Sequence, residues 1–422
     1  MIVIRFLALS ILLCSFLGCA TKSAQDTPVT LKVFGDVNRV LNSEKTGPGS
    51  LAEFHSLYPG IRVEVTAEHN EWRILHQSIE MLGTQSADAP DIIEMPGSWV
   101  AEFASKKQLL PLDDWFAKFP VPERKDFVAA LLKSYSYEES LYGLPSLIGI
   151  QYLYGRKELL PKSGLPTTLE GLIALSRTIQ KDHGIQGIIF PSQGIHMAKF
   201  YHTLLMIELA NTTDNDRLLA HTRAYQTFSI LIRENQPDYE KFSHAVAEGE
   251  FRSGRAGLSI NGNYVWYLLS RSKKAGFPIV PEDVAVGYLP VADIDIEPVN
   301  YIWTRGYVIN ARTKHPNKAR LLLEYLTSTQ SQFRRLNDRY ILPARTSAAF
   351  YGASLPGMRP PPAKALYKAG EDAPSFTRLN ESPPGWKHST ESIQRLLETA
   401  LASGMTPAEV AGRMTIIETM AQ

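Results

Sequence analysis

Two stretches of alternating apolar and polar residues, separated by a helical stretch, lie near the start of this chain. The alternation runs through residues 29–34 and 61–65, and the turn residues 58–60 end the helix between them. A third apolar strand follows at 91–95. Strands that alternate with helices pair in parallel, because each helix carries the chain back to the same edge of the sheet. The pattern predicts an α/β fold with a largely parallel, doubly wound sheet.

The length of the chain predicts more than one domain. Its 422 residues exceed the size at which a single hydrophobic core keeps growing. The composition, 44% hydrophobic and 21% charged, is typical of a globular protein. Lys and Arg number 44 and Asp and Glu 43, so the formal net charge is +1, and no long basic block concentrates the positive charge. We therefore expect no nucleic-acid partner.

The N-terminal segment is typical of an export signal. The single charge at Arg5 precedes an apolar run over residues 6–17. That run is shorter than the roughly 20 residues of a membrane-spanning helix, and it has the length of a signal-peptide core. We interpret residues 1–19 as a signal peptide and 20–28 as a polar tether. A membrane anchor helix is the weaker alternative.

The signal ends in a motif that resembles the lipobox of bacterial lipoproteins. Residues 16–20 read FLGCA. The resemblance implies cleavage before Cys19 and a diacylglycerol on its thiol, which with a further acyl chain anchors a protein to a membrane. An ordinary secretory signal cut nearby is the alternative. Because Cys14 and Cys19 are the only cysteines, we expect no internal disulfide.

Signature motifs of common enzymes are absent from the sequence. It contains no dinucleotide-binding glycine loop, P-loop, G-x-S-x-G, H-E-x-x-H or C-x-x-C. The ten histidines do not pair with cysteines at zinc-ligand spacing. We therefore predict no cofactor, no metal and no catalytic residue. Paired carboxylates stay open because the chain has 43 acidic residues, so an exported glycoside hydrolase remains an alternative.

Several aromatic and polar residues follow strands or turns. In an open α/β sheet, such positions line the crevice at the carboxyl ends of the strands, where ligands bind. A sugar offers C–H faces to flat rings and hydroxyl groups to hydrogen-bonding side chains. The set predicts a sugar site, and the alternative is that each tryptophan packs in a core. Its members are Ser98, Trp99, Asn263, Tyr264, Trp266, Trp303 and Arg305.

Short motifs along the chain resemble, in order, those of bacterial extracellular solute-binding proteins of the maltose-binding type. They include a first-lobe signature, a hinge passage, a segment ending in aromatic ligand contacts, and a late helix with its return loop. The resemblance extends over residues 29–422. The segments that carry it are 89–93, 109–114, 141–145, 153–156, 162–166, 251–266, 328–332 and 342–345.

This resemblance implies a periplasmic binding protein-like fold of type II, with two α/β lobes joined by crossing hinge strands. The domains are then discontinuous, with residues 29–144 plus about 301–345 in lobe one and about 145–300 plus about 346–422 in lobe two. The expected function is capture of a small solute, most simply a mono- or oligosaccharide, by hinge closure.

The resemblance also implies partners and a location. An ABC permease would receive the solute, and the protein would act as a monomer at the periplasmic or extracellular face, held to the membrane by its lipid. A receptor that reports the ligand to a membrane kinase and a lipoprotein with structural duties are the alternatives.

Site residues follow from the resemblance position by position. Ser98 and Trp99 lie where maltose-type relatives have an acidic and a basic contact, so a less charged, stacking site is expected. Tyr264 matches a stacking aromatic, with Trp266 as its packing support. In the loop after the first strand, three polar residues match contacts to sugar hydroxyls: Asp36, Asn38 and Arg39. Further polar or stacking candidates are Gln151, His196, Asn263, Trp303 and Arg305, the last also suited to a phosphate or carboxylate.

Overall fold

The computed structural model describes residues 28–35, 48–66, 81–82, 89–212, 216–293, 302–339, 341–348 and 386–421. The predicted signal peptide, its lipidation site Cys19 and the tether up to residue 27 lie outside these residues. Within the described ranges, no helix combines the length and the apolar character that crossing a membrane requires.

Most of the strands belong to one sheet. The strands are β1 (Val29–Phe34), β2 (Ile61–Thr66), β3 (Ile92–Pro96), β4 (Ser136–Tyr137), β5 (Ser140–Leu141), β6 (Gly143–Arg156), β7 (Gln186–Ile189), β8 (Ala256–Gly262), β9 (Val284–Gly287), β10 (Ile302–Ile309) and β11 (Leu342–Pro343). Among the described residues, nine strands join in the order β2-β1-β3-β10-β6-β8-β7, with β9 and β11 also paired to β6. Strands β4 and β5 form a separate antiparallel pair.

The sheet is mixed, which differs from the largely parallel sheet that the strand–helix pattern predicts. Strand β1 pairs in parallel with β2 and β3, and β7 pairs in parallel with β8. Between these two ends, β10 runs antiparallel to β3 and β6, and β6 runs antiparallel to β8. The central antiparallel strands pair residues far apart in sequence, so local alternation carries no signal for them.

Helices cover the sheet. They are α1 (Leu51–Leu57), α2 (Val100–Ser105), α3 (Asp113–Phe116), α4 (Val121–Lys125), α5 (Ala129–Lys133), α6 (Leu169–His183), α7 (Ile195–Asn211), α8 (Arg217–Asn235), α9 (His244–Arg252), α10 (Tyr264–Leu269), α11 (Pro316–Leu326), α12 (Thr329–Arg339), α13 (Trp386–Ser403) and α14 (Pro407–Ala421). Short polar side chains begin several of them. Thr406 and Glu409 form a reciprocal capping box before α14, with Glu409 N donating to Thr406 Oγ1 at 3.3 Å and Thr406 N donating to Glu409 Oε2 at 2.8 Å.

Two large hydrophobic cores lie on either side of the middle of the sheet. The first core, which includes Phe34, Phe103 and Tyr307, lies among β1, β3, β10 and α11. The second core, which includes Phe228 and Leu397, lies among β7, β8 and helices α6, α7, α8, α13 and α14. A third group, here called the junction cluster, lies between them and is formed by Ile148, Ile150, Tyr152, Tyr154, Phe251, Val265, Leu336 and Leu342, among others.

Strand β6 connects the two cores. Its residues 143–150 pair with β10, and its residues 151–156 pair with β8. The neighbours of β6 therefore change between Ile150 and Gln151. This crossing lies where the sequence resembles a hinge passage. The domain boundaries near 144, 301 and 345 stay predictions.

Candidate functional site

The indole ring of Trp303 lies over the point where β6 passes between the cores. Trp303 on β10 is opposite Gly149 on β6. A Cβ at Gly149 would overlap ring atom Cε2, and a Cβ at Gly262 on β8 would come within 3.0 Å of ring atom Cη2. Because the two glycines have no side chain, the Trp303 ring packs directly on their backbone. Trp303 remains half-buried, so part of it faces solvent.

Three further rings continue from Trp303 toward the second core. The Tyr264 ring also borders Gly262, where a Cβ would be 2.8 Å from ring atom Cδ1. The rings of His244 and Tyr264 meet edge to face with centroids 5.6 Å apart, and those of His196 and His244 do so at 4.1 Å. All three are half-buried. We call Trp303, Tyr264, His244 and His196 the ring row.

Helix starts position the last two rings of the row. His244 opens α9 after Ser243, whose hydroxyl accepts from Val246 N at 3.3 Å. His196 lies in the first turn of α7, after Gly194 with φ of 58°, a conformation that glycine adopts without strain. The first turn of a helix carries partial positive charge and favours electron-rich atoms such as hydroxyl oxygens.

A 3-10 turn, Gly97–Trp99, follows β3 and packs on β10 at Thr304, the residue after Trp303. A Cβ at Gly97 would overlap Ser134 Oγ and come within 3.0 Å of Thr304 Cγ2. Ser98 and Trp99 are half-buried, and Trp99 packs against the first core. Helix α13, which contributes to the second core, also approaches this turn. Elements of both cores therefore meet around Ser98 and Trp99.

The structure brings the predicted residues Trp303, Tyr264 and His196 into the ring row, and Ser98 and Trp99 lie in the turn that packs on β10 at the next residue, Thr304. Their contacts with a ligand stay predictions. Trp266 is half-buried and packs against the junction cluster. Asp36, Asn38, Arg39 and Cys19 lie outside the described residues.

Gln151 and Asn263 hold the crossing strand. The Thr203 hydroxyl on α7 donates to Gln151 Oε1 at 2.8 Å, which ties β6 to the second core. Ile150 N donates to Asn263 Oδ1 at 3.0 Å, and Asn263 N donates to Ile150 O at 2.8 Å. Asn263 is 8% exposed. Its amide oxygen is therefore engaged by the backbone of β6 at the point of crossing.

Arg305 lies in the first-core part of β10 and is only 9% exposed. Burial raises the pKa of Tyr135; nearby Glu94 raises that pKa further, and Arg305 lowers it. Both charges therefore act on one buried hydroxyl, which donates to Met95 O at 2.7 Å. Glu94 is also buried, at 4% exposed.

Sequence reasoning missed four residues of this region. Gly149 and Gly262 accept the Trp303 ring, and His244 and Asn261 contact Tyr264. Asn261 and Gly262 lie inside the segment 251–266 that resembles the aromatic ligand segment of the family, so that segment was the available signal. Within the described residues, no three His, Cys, Asp or Glu side chains are grouped so as to hold a metal ion.

Comparison with known proteins identifies the family. Residues 43–333 match the family model described as bacterial extracellular solute-binding protein. The chain belongs to this family. Its members bind solutes and are not enzymes, and they work in the periplasm or at the extracellular face.

Solved structures confirm the two-lobed fold of this solute-binding protein. Maltose-bound MalE3 of T. maritima is 19% identical with a TM-score of 0.69, covering 93% of this chain and 99% of that one. A solute-binding protein of Thermotoga lettingae bound to α-D-tagatose is 18% identical with a TM-score of 0.70, covering 92% and 98%. One of Agrobacterium vitis with D-mannitol is 16% identical with a TM-score of 0.69, covering 93% and 98%.

Proposed function

We propose that this solute-binding protein holds a sugar or polyol between its two cores, against the ring row. The observation that carries the proposal is the packing of the Trp303 ring on the backbone of Gly149 and Gly262, where β6 crosses from one core to the other. A sugar presents C–H groups on its faces, so a flat ring is a suitable platform for it. The polar ring edges of Tyr264 and His244 supply hydrogen-bonding partners for its hydroxyls.

The positions of the candidate residues explain why the two cores would close on such a ligand. Ser98 and Trp99 belong to the first-core side, and His196 lies on α7 of the second core. Tyr264 and His244 open helices that pack against the junction cluster, and the helix of His244 also packs on β7 and β8. A ligand that contacts both sides only in the closed form shifts the population toward that form by its difference in affinity. The crossing at Ile150 and Gln151 is our proposed hinge.

The ligands of structural relatives support the class of solute. Maltose, α-D-tagatose and D-mannitol are bound in three of them. Each is a neutral molecule rich in hydroxyl groups. We carry this class, without a particular sugar, to the present chain.

The proposal includes delivery to an ABC permease by a monomer with a lipid on Cys19. Replacement Cys19→Ser removes the thiol that the lipid needs, so the protein should leave the membrane fraction. Membrane retention of Cys19→Ser would contradict the lipid anchor and leave the binding site unaffected.

A thermal-shift screen of the full-length protein tests the binding function. The panel is maltose, α-D-tagatose, D-mannitol, amino acids and glycerophosphodiesters. A ligand that binds only the folded state raises the unfolding midpoint by mass action. We expect a shift with at least one sugar or polyol and none with the other classes. No shift with any sugar or polyol would overturn the proposal.

Replacement Trp303→Ala then tests the site. Removal of a buried aromatic anchor costs about 1 to 3 kcal/mol of binding free energy, so affinity should fall roughly 5- to 150-fold in calorimetry. Trp115→Ala is the control, because Trp115 lies on α3 and packs against the first core. Equal affinities in the two variants would place the ligand elsewhere.

A further inference from the structure

One amide oxygen next to the ring row accepts from two donors. Gly262 N donates to Asn261 Oδ1 at 2.8 Å, and the Tyr264 hydroxyl donates to the same oxygen at 2.8 Å. A backbone N–H can only donate, so the amide cannot turn its own NH2 group toward Gly262. Asn261 is 1% exposed, so water offers no substitute partner. The backbone therefore determines the orientation of Asn261.

This orientation determines the proton positions further along the row. The Tyr264 hydroxyl has one proton, and it goes to Asn261, so its oxygen must accept the next hydrogen bond. His244 Nδ1 lies 2.8 Å from that oxygen and therefore carries a proton. In a neutral imidazole the other ring nitrogen, Nε2, is then an acceptor.

The nitrogen of the Asn261 side-chain amide differs from its oxygen in having no hydrogen-bond partner among the described residues. This Nδ2 atom is buried. A buried donor without a partner is unfavourable, and the two hydrogen bonds that Oδ1 accepts act against that cost. Such a local conflict is expected at functional sites.

We propose that Asn261 is a positioning residue that makes the Tyr264–His244 side of the site a hydrogen-bond acceptor, and that this polarity selects neutral, hydroxyl-rich ligands over carboxylates and phosphates. A ligand hydroxyl donates to a ring nitrogen that accepts, whereas an anionic group offers only acceptors. The partial positive charge at the first turns of α9 and α7 favours anions and opposes this selection, so calorimetry with matched neutral and acidic probes measures the balance. The inference rests on the proposed function, since it needs a ligand against the ring row.

Nitrogen-15 NMR of the full-length protein, labelled at histidine, tests the proton positions without any ligand. Protonated and bare ring nitrogens differ in chemical shift, and a His244→Gln variant identifies the His244 signals. At about pH 8.5, where an ordinary imidazole is neutral, we expect the proton on Nδ1. A proton on Nε2 would overturn the inference.

Three variants separate positioning from a structural role. Asn261→Leu leaves Tyr264 free to donate to His244 Nδ1, so the proton should move to Nε2. Asn261→Asp keeps the acceptor and should restore the original signature. Tyr264→Phe keeps the half-buried ring without the hydroxyl and should shift the signals toward Nε2–H even if Asn261→Leu fails to fold. An unchanged signature in Tyr264→Phe contradicts the proposal.

Matched neutral and acidic probes test the selectivity. Calorimetry compares maltose with maltobionate, and D-mannitol with D-mannonate. Where a probe pair binds, we expect the neutral member to bind at least tenfold tighter than its acid. The ratio of the two affinities should become smaller in Asn261→Leu and stay the same in Asn261→Asp. Equal or tighter binding of the acid overturns the selectivity. If none of the four binds, the proposed function and the selectivity both fail, while the NMR result still decides the role of Asn261.

Discussion

The two halves of β6 are held in different ways. In the first half, Arg335 on α12 donates to Ser146 Oγ at 2.8 Å, and it also donates to Leu326 O at 2.6 Å. Arg335 is 1% exposed, so a fully buried guanidinium ties the strand to the first-core helices. In the second half, the buried side chains make neutral contacts, while Arg156 at its end donates to Gly254 O at 2.7 Å from a partly exposed position. The Tyr154 hydroxyl donates to Gly262 O at 3.0 Å, and Gln151 Oε1 accepts from the Thr203 hydroxyl at 2.8 Å.

The difference indicates which end of β6 is the fixed one. Hydrogen bonds to a buried charged group are worth about 1.5 to 3 kcal/mol, whereas a neutral one is worth about 1 kcal/mol. We infer that the buried Arg335 contacts hold the first half of β6 more firmly than the Tyr154 contact holds the second half.

Replacement Arg335→Met should have the largest effect on stability. It leaves Ser146 Oγ and Leu326 O without their buried donor, so we expect a loss of about 3 kcal/mol in the free energy of unfolding, measured in urea. Arg395→Met, an exposed position on α13, is the matched control and should stay within about 0.5 kcal/mol. Similar losses in both variants would mean that the buried hydrogen bonds of Arg335 do not hold the first half of β6.

Replacement Gly149→Ala tests the point where the halves meet. The new Cβ would overlap the Trp303 ring, so the ring must move, and such overpacking costs about 2 kcal/mol of stability. Sugar affinity should fall as well. Gly249→Ala on α9 is the control, because a Cβ there meets nothing within 4 Å. A helical alanine should stabilise by up to about 1 kcal/mol.

The pH dependence of the free energy of unfolding also separates the two halves of β6. An arginine stays charged over the measurable pH range. A carboxyl on α9, which packs on the partner strand β8, titrates instead. Burial raises the pKa of Glu248 on α9 to about 7 against the attraction of Arg252. A raised pKa favours the folded state below the ordinary value of about 4.3, and this advantage is lost as pH rises through 7. Glu248→Gln cannot titrate, so from pH 4 to 8 it should gain about 1 to 2 kcal/mol relative to the unmodified protein.

The same helix supplies a control of opposite sign. The Arg255 hydrogen bond lowers the pKa of Glu250. A lowered pKa stabilises the folded state above the ordinary pKa of the carboxyl, and this stabilisation is lost only as pH falls. Glu250→Gln should therefore show no gain in the free energy of unfolding, relative to the unmodified protein, between pH 5 and 8. Urea unfolding at each pH measures both. A gain in Glu250→Gln equal to that in Glu248→Gln would mean that burial of Glu248 is not the cause.

Replacement Tyr154→Phe should have the smallest effect, a loss of about 1 kcal/mol, because it removes one neutral hydrogen bond from the second half of β6. Tyr225→Phe is the matched control. Tyr225 is also buried, but its hydroxyl has no hydrogen-bond partner among the described residues, so its loss should be neutral or stabilising. Equal losses in urea would show that the bond to Gly262 contributes nothing.

Much of the outer part of the fold could be predicted from local patterns. The alternation at 29–34 and 61–65 corresponds to β1 and β2, and the apolar run at 91–95 lies one residue from β3. The antiparallel pairing at the centre of the sheet could not be predicted in this way, because it joins residues that are remote in sequence. The Thr304 hydroxyl, for example, donates to Leu147 O across 157 positions.

The candidate site was predicted in its residue types but not in its arrangement. Trp303, Tyr264 and His196 were selected for stacking or polar character, and they lie in one row. Asn263 was expected to face a ligand, yet its amide oxygen holds Ile150. Arg305 was considered for an anion, yet it is buried in the same region as Glu94. Which partner satisfies a polar group depends on strands that only folding brings together.

The sequence by itself determined the strand–helix alternation, the family-like order of motifs and the absence of common enzyme signatures. These depend on residues close together in the chain, where backbone periodicity and turn chemistry are encoded. The tertiary structure decided where β6 changes partners, which glycines lie under Trp303 and which oxygen accepts from both Gly262 N and the Tyr264 hydroxyl. Each of these is a matter of packing or hydrogen-bond direction, and direction is defined only when remote donors and acceptors meet.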